Sequence, residues 1–208
     1  MISRKQFGTI EIRDGNMSEL VNNVKKEVIK ESKKYQNESL DHYDFWNEHI
    51  KYVYEEACQL AIIYNANQEI VELGALLHDI ALIKKVGESE SHHTNGVIIG
   101  REILEKFGCP VDIKNRVLGC IEHHRNSKNA TNIEEICVCD ADILAHFDNI
   151  PMLFNSALKR HGLNLNDARK WIKNVFVNDY NDLSNETRKK FKKRYIDILN
   201  IVLGESNK

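Results

Sequence analysis

A histidine and an aspartate stand side by side, His78-Asp79, in the otherwise apolar stretch 70–83. Apolar residues recur there at helical spacing, which predicts a buried helix. A buried carboxylate needs a cation or several hydrogen-bond donors, because an unpaired charge in an apolar site costs many kcal/mol. The pair therefore suggests a metal ion. Taken alone, the dipeptide is explained more simply by a core histidine and an aspartate that ends the helix.

Other histidines make the metal interpretation the stronger one. Six of the nine histidines and two aspartates fall at predicted helix ends or on apolar helix faces, so that packing can bring them together: His49, His78, His92, His93, His123, His124, Asp79 and Asp142. Imidazole and carboxylate without thiolate suit Mn, Fe, Co, Ni, Zn or Mg rather than a structural zinc site. We therefore expect a divalent metal ion as cofactor.

The elements that position these residues are predicted to be helices. Helical periods run over 17–35 with Ser18 as cap, 45–65, 68–83, from the residues after His93 to Phe107, 111–124, 134–147, 152–160, 165–178 and 184–203. Strand-like alternation is confined to residues 6–13. The sequence thus predicts one all-α domain of about eight or nine helices over 18–208, with an arm at 1–17, a motif core at 45–147 and C-terminal helices at 151–203.

Composition narrows the class of partner and compartment. The net charge is -2 and the isoelectric point is near 6.5, so no basic field for nucleic acid is evident. Five cysteines without Cys-x-x-Cys spacing indicate reduced thiols rather than a zinc knot. No signal segment or membrane-spanning run is present, so a cytoplasmic location without a membrane partner is expected. The apolar face with Trp171 and Phe176 is expected to be core, with a homodimer surface as the alternative.

The ordered residues resemble the HD superfamily of metal-dependent phosphohydrolases. That family has an isolated His, then His-Asp, then a distant Asp. Here the matching text is "EHIKYVYEEA", "ELGALLHDIAL" and "CDADILAHF", and the resemblance covers about 45–147. It implies that His49, His78, Asp79 and Asp142 hold a metal ion. Asp140 is a competing assignment for the last ligand, or a neighbour of it.

A second layer resembles the two-metal branches of the superfamily, including the HD-GYP phosphodiesterases. His92 stands four residues before Gly96, and His123-His124 supplies a later pair. No Gly-Tyr-Pro follows, so a cyclic dinucleotide substrate is not implied, and small bacterial HD hydrolases that act on nucleotides look closer. The roles of His92, His93, His123 and His124 stay open between a second metal ion and substrate phosphate. One ion needs only the first four ligands.

The resemblance implies hydrolysis of a phosphoester or phosphoanhydride, with a small phosphorylated molecule such as a nucleotide as substrate. Asp79 is the candidate catalytic residue, which would orient the attacking water or accept its proton. Lys84, Lys85 and Arg125 lie in loops beside the motifs and are candidates to bind substrate phosphate. Two other functions compete: a nucleotide-binding sensor that has lost catalysis, and a di-iron oxygenase on the same fold.

Overall fold

The structure is a computed structural model that describes residues 18–40 and 42–204. All regular secondary structure in these ranges is helical, which confirms the all-α prediction. The predicted arm at 1–17 lies outside the described residues. None of the described helices is both long enough and apolar enough to cross a membrane.

Ten α-helices, two of them shorter than eight residues, account for most of the described residues. In chain order they are α1 (Glu19–Glu38), α2 (Lys51–Tyr64), α3 (Gln68–Leu77), α4 (Ile80–Ile83), α5 (His92–Lys106), α6 (Val111–His123), α7 (Ile133–Asp148), α8 (Ile150–Asn155), α9 (Leu165–Asp182) and α10 (Asn185–Leu203). Two π-helical turns, Trp46–Ile50 and Ser156–Arg160, and one 3-10 turn, Ser89–Ser91, adjoin them.

The single helix predicted over 68–83 is wrong, because the chain breaks it at His78-Asp79. The α3 helix ends at Leu77, and Asp79 has φ -103° and ψ 16°, outside helical values, before α4 begins at Ile80. In an unbroken α-helix, neighbouring side chains point about 100° apart. The break allows His78 and Asp79 to face the same point, and apolar periodicity does not reveal it.

The α3 helix is the centre of the core. It packs against α2, α6 and α7, and its residues from Ile70 to Leu77 are buried. Gly74 marks the closest approach: a Cβ atom there would lie 2.7 Å from Cys120 Cβ and 3.0 Å from Val138 Cγ2. Only glycine lets the three helices meet at this distance, and this contact fixes where the end of α3 lies.

Side-chain caps set where several helices begin. Ser18 accepts a hydrogen bond from the Val21 amide at 3.2 Å, which confirms the predicted cap of α1. Asn67 caps α3 by accepting from the Ile70 amide, and Asn132 caps α7 by accepting from the Glu135 amide. Asparagine at this position satisfies one of the free amides of the first turn.

The C-terminal helices pack onto α7. Phe176 of α9 is fully buried and stacks on Phe147 with ring centroids 4.4 Å apart, in agreement with the expectation of a core face. Arg194 of α10 pairs with Glu56 of α2 at 3.1 Å and with Asp148 at the end of α7. Helices outside the predicted motif core therefore hold two of the helices that carry it. All five cysteines are buried as free thiols.

Candidate metal centre

His49 enters the site from a π-helical turn. The segment Trp46–Ile50 has π geometry and continues directly into α2. A π turn locally shifts the side-chain register of a helix, and such turns are frequent at functional sites. The His49 ring lies in the interior with 8% of the residue exposed, and it faces the break between α3 and α4.

Four residues form what we call the first half of the site: His49, His78, Asp142 and the Oδ2 atom of Asp79. His49 Nε2 lies 3.3 Å from Asp79 Oδ2 and 3.2 Å from Asp142 Oδ1. His78 Nε2 lies 3.1 Å from His49 Nε2 and 3.5 Å from Asp79 Oδ2. Ligand atoms bound about 2.1 Å from one ion are roughly 3–4 Å apart, so this spacing fits a single divalent ion.

A second half of the site lies on the other side of Asp79. Its Oδ1 atom is 3.2 Å from His92 Nε2 and 3.7 Å from His124 Nε2, and the two ring nitrogens are 2.9 Å apart. Asp79 therefore presents one oxygen to each half. Two groups, His49-His78-Asp79 and Asp79-His92-His124, have the spacing of a metal site, and they share the carboxylate.

Backbone contacts fix the tautomers of three of the histidines. The Nδ1 atoms of His78, His92 and His124 donate to the carbonyls of Ala75, Ser89 and Ile121 at 2.8, 2.6 and 2.7 Å. A neutral imidazole has one N–H, so each Nε2 is then an acceptor. When both rings are neutral, two such nitrogens and a carboxylate oxygen face one another in the second half with no hydrogen to share. A cation satisfies all three, so these residues fit a bound metal ion.

Burial and opposite charge set the ionisation of the cluster. Burial lowers the pKa of His49, but Asp142 and Asp79 outweigh it and raise that pKa to about 10. Burial disfavours ionised carboxylates, yet the surrounding imidazoles hold the pKa of Asp79 and of Asp142 below the ordinary range. Burial, together with neighbouring His78, lowers the pKa of His124 to about 4. At neutral pH the carboxylates are ionised and His124 is neutral. Asp79 also raises the pKa of His92 against the effect of burial, so His49 and His92 release a proton when a metal ion takes its place beside the carboxylates.

Of the two aspartates that competed as last ligand, the structure places Asp142 in the cluster. Asp140 is fully buried two residues earlier on α7 and turns the other way. It accepts hydrogen bonds from the Ser184 amide at 2.9 Å and the Ser184 hydroxyl at 2.5 Å. Asp140 thus ties the helix that bears Asp142 to the residue that precedes α10.

His146 adjoins the site, although it was not among the histidines that the sequence singled out. Its ring stacks on His49, with centroids 6.2 Å apart and planes 27° from parallel. Its Nδ1 is 2.9 Å from Asp179 Oδ2 on α9. His146 lies four residues after Asp142 on one helix, a spacing that places both on the same face and is visible in the sequence. Nothing in the sequence marks Asp179 as its partner.

His93 and His123 were grouped with His92 and His124, but the structure does not bring them into the cluster. Each is the helical neighbour of a cluster residue and therefore points about 100° away from it. Both line a separate cavity of about 480 Å³ beside the second half, together with Thr94, Glu122, Arg125, Asn126 and Asn129.

Of the three basic residues expected to bind phosphate, only Arg125 lies beside the site. Lys84 forms an ion pair with Glu31 of α1, with Nζ 3.7 Å from the carboxylate. Lys85 places its ammonium over the ring of Tyr35, also on α1, at 4.6 Å from the centroid. The two lysines follow the end of α4, which directs them to α1 rather than to the cluster. Sequence proximity to the His-Asp pair did not reveal this direction.

Residues 47–146 match the model of the HD domain family. This range begins just before His49 and ends after Asp142, so it contains the whole cluster. Residues 47–146 are thus identified as an HD domain, and the match supports an HD-superfamily protein.

A solved structure and two curated relatives extend the comparison. The fold is similar to the crystal structure of an HD-superfamily hydrolase from Bacillus thuringiensis, with a TM-score of 0.61 over 88% of this chain and 94% of that one, at 19% identity. A tRNA (cytidine(56)-2'-O)-methyltransferase of Picrophilus torridus is 30% identical over 143 residues, which are 61% of this chain and 39% of that protein. A ribonuclease Y of Fusobacterium nucleatum is 29% identical over 157 residues, 64% of this chain and 29% of that protein. The chain spans less than two fifths of either relative.

Proposed function

We propose that the protein is a divalent-metal-dependent phosphohydrolase that acts on a nucleotide or a related phosphoester or phosphoanhydride. The observation that carries the proposal is the Asp79 carboxylate, which faces two histidine pairs with one oxygen each. Nitrogen and oxygen ligands of this kind, without thiolate, suit catalytic divalent ions.

The fixed tautomers favour metal over phosphate as the ligand of the second half. His92 and His124 present Nε2 as an acceptor when neutral, and a phosphate oxygen offers no hydrogen to it. Both histidines can instead coordinate a cation. We therefore favour two bound ions, one in each half, over a single ion with histidines that grip phosphate.

Each residue group has a distinct part in the proposed reaction. A divalent ion in such a site lowers the pKa of a coordinated water towards about 7 and polarises the phosphoryl oxygen. His78 and His124 are almost wholly buried and hold the inner side. Asp142 has the most exposed side chain of the cluster, at 23%, and marks the side from which substrate enters. Asp79 is the candidate to orient the attacking water or accept its proton.

The relatives support this class of reaction. The solved fold neighbour is called a hydrolase, and one curated relative is called a ribonuclease. A substrate with a phosphodiester or phosphoanhydride bond is consistent with both names.

The test combines metal analysis with a panel of phosphorylated substrates. We expect the purified protein to carry a divalent transition metal and to release phosphate or a nucleotide product in the presence of Mn²⁺. Asp79→Asn should lower the rate by about a hundredfold or more, since loss even of an outer contact to a metal ligand costs about 10–100-fold. Asp112→Asn, at an exposed position in the first turn of α6, is the matched control and should retain the wild-type rate.

The same panel separates the competing functions. Tight nucleotide binding without any turnover would overturn the hydrolase and support a sensor. Oxygen consumption by an iron-loaded protein that leaves every phosphorylated substrate intact would support an oxygenase instead.

A further inference from the structure

The cavity outside the second half has the chemistry of a second anion site. His93 and His123 line it, and each is adjacent in sequence to a cluster residue. The ring of His93 also contacts that of His92, with centroids 5.9 Å apart. The cavity is therefore the immediate neighbour of the proposed metal site. At about 480 Å³ it falls within the usual size of a small-molecule site.

Arg125 supplies a positive charge to this cavity. Its Nη1 donates to the Glu90 carbonyl at 2.7 Å, which anchors the guanidinium. In the part of the chain that the structure describes, Arg125 forms no ion pair within 4.0 Å, although the Glu122 carboxylate also lines the cavity. A guanidinium has five donors in a fork that matches phosphate, and a carbonyl leaves most of that fork available.

The Nδ1 atoms of the two histidines that line the cavity differ in their contacts. His93 Nδ1 is buried without a hydrogen-bond partner in the described residues. His123 Nδ1 is 2.9 Å from Glu135 Oε2, and Glu135 is itself held by the Thr131 amide at 2.6 Å and by Asn132 Nδ2 at 2.8 Å. The buried Glu135 thus fixes the His123 ring. Among the described residues that line the cavity, no aromatic ring other than these two imidazoles is present, so the lining is mainly polar.

We propose that this cavity binds a second phosphate group of the substrate. This inference rests on the proposed function, in which the residues of the cluster bind the first phosphate through the metal ions. The preferred substrates are then nucleotides with two separate phosphates, such as a bisphosphate or a short phosphodiester-linked nucleotide, rather than a nucleoside monophosphate. Arg125 contacts the second phosphate and determines this specificity, while Asn126, Asn129 and Thr94 offer hydrogen bonds to its oxygens or to nearby sugar hydroxyls.

The direct test compares two ligands that differ by one phosphate. Isothermal titration of the metal-loaded protein with adenosine 3',5'-bisphosphate and with adenosine 5'-monophosphate gives the ratio of their affinities. We expect the bisphosphate to bind at least about tenfold more tightly, since a charge-assisted hydrogen bond contributes about 1.5–3 kcal/mol and 1.4 kcal/mol is tenfold. In Arg125→Ala the ratio should fall to about one, and Arg125→Lys should restore part of it.

Lys128→Ala is the matched control, because Lys128 is an exposed basic residue of the same connection but does not line the cavity. It should keep the wild-type ratio. Equal affinities in the wild type, no detectable binding of the bisphosphate, or a ratio that survives in Arg125→Ala would each overturn the proposal.

Failure of this inference is distinct from failure of the proposed function. A protein that prefers the bisphosphate through Arg125 but hydrolyses nothing retains the second-phosphate subsite and loses the hydrolase assignment. A protein that hydrolyses phosphoesters without discriminating the two adenosine ligands retains the hydrolase assignment and loses the subsite.

Discussion

At the scale of single residues, His92 and His124 differ from their sequence neighbours in what their Nδ1 atoms contact. His92 and His124 donate from Nδ1 to backbone carbonyls, which turns both Nε2 atoms into acceptors around Asp79. His93 and His123 are also histidines and stand next to His92 and His124 in the sequence, yet they lie outside the cluster. One step along a helix thus separates a residue of the cluster from a residue that lines the neighbouring cavity.

The metal content of two double variants tests this distinction. Wild-type protein should bind two divalent ions per chain. His92→Ala combined with His124→Ala should bind one, because the second half then keeps only the Asp79 oxygen. The measurement is elemental analysis after dialysis against the metal, with protein quantified by amino-acid analysis.

His93→Ala combined with His123→Ala is the matched control for that measurement, since it also removes two adjacent imidazoles but none from the cluster. It should still bind two ions. One ion in the wild type, or a loss of metal in the control equal to that in the first double variant, would contradict the assignment of ligands.

The sequence indicated which residues could bind a metal ion, but less often the direction in which each side chain points. The sequence singled out four residues, because histidine and aspartate in apolar helical segments are explained together by one bound metal ion. They are His49, His78, Asp79 and Asp142. The direction of Asp140, by contrast, depends on Ser184, which lies 44 residues away along the chain. Lys84 is a phosphate-binding candidate because it lies close to the His-Asp pair, but its partner Glu31 on α1 is even more distant in sequence than Ser184 is from Asp140. Long-range partners of this kind leave no local pattern.

At the scale of elements, three helices must approach closely for the cluster to form. Gly74 lets α3 lie against α6 and α7, and a Cβ atom there would be 2.7 Å from Cys120 Cβ, an atom next to the backbone that cannot rotate away. Periodicity predicted the buried helix but not the break that ends it, because the break arises at the polar pair itself.

Gly74→Ala should destabilise the protein, opposite to the usual effect of this change in a helix. Alanine ordinarily stabilises a helix interior by about 1 kcal/mol relative to glycine. Here overpacking should outweigh that gain, with a net loss of about 1–3 kcal/mol. Thermal unfolding followed by circular dichroism should show a Tm lower by about 2–4 °C for each kcal/mol.

Gly100→Ala provides the comparison within the same fold. The close atom there is the terminal Cδ1 of Ile121, at 2.6 Å, which a side-chain rotation can move. Its Tm should fall less than that of Gly74→Ala or rise slightly. A higher Tm for Gly74→Ala than for the wild type would show that the three helices can separate without loss, against the packing described above.

At the scale of the whole molecule, the C-terminal helices join the helices that carry the cluster to the rest of the core. Asp140 contacts Ser184, His146 contacts Asp179, and Arg194 pairs with Glu56 and with Asp148. The all-α class and most helix positions followed from apolar periods near 3.6, since burial of one helix face is a local property of the sequence. The packing of α9 and α10 against α7 could not be predicted from these periods, because it depends on contacts between distant segments of the chain.

Metal removal should reveal how far the cluster contributes to stability. Six side chains converge in the cluster only when the chain is folded, so a cation held by them would bind the folded state and not the unfolded one. A ligand that binds only the folded state stabilises it by about 2.7 kcal/mol at a hundredfold excess over Kd. A chelator should therefore lower the Tm of the wild type by roughly 5–10 °C, at about 2–4 °C per kcal/mol. The helical circular dichroism signal at 25 °C should persist, because α3 and its neighbours are buried independently of the site.

In Asp79→Asn, which lacks the carboxylate shared by both halves, the chelator should change the Tm little. An equal fall in both proteins would mean that the chelator acts elsewhere, and no fall in the wild type would mean that the cluster is stable without a cation.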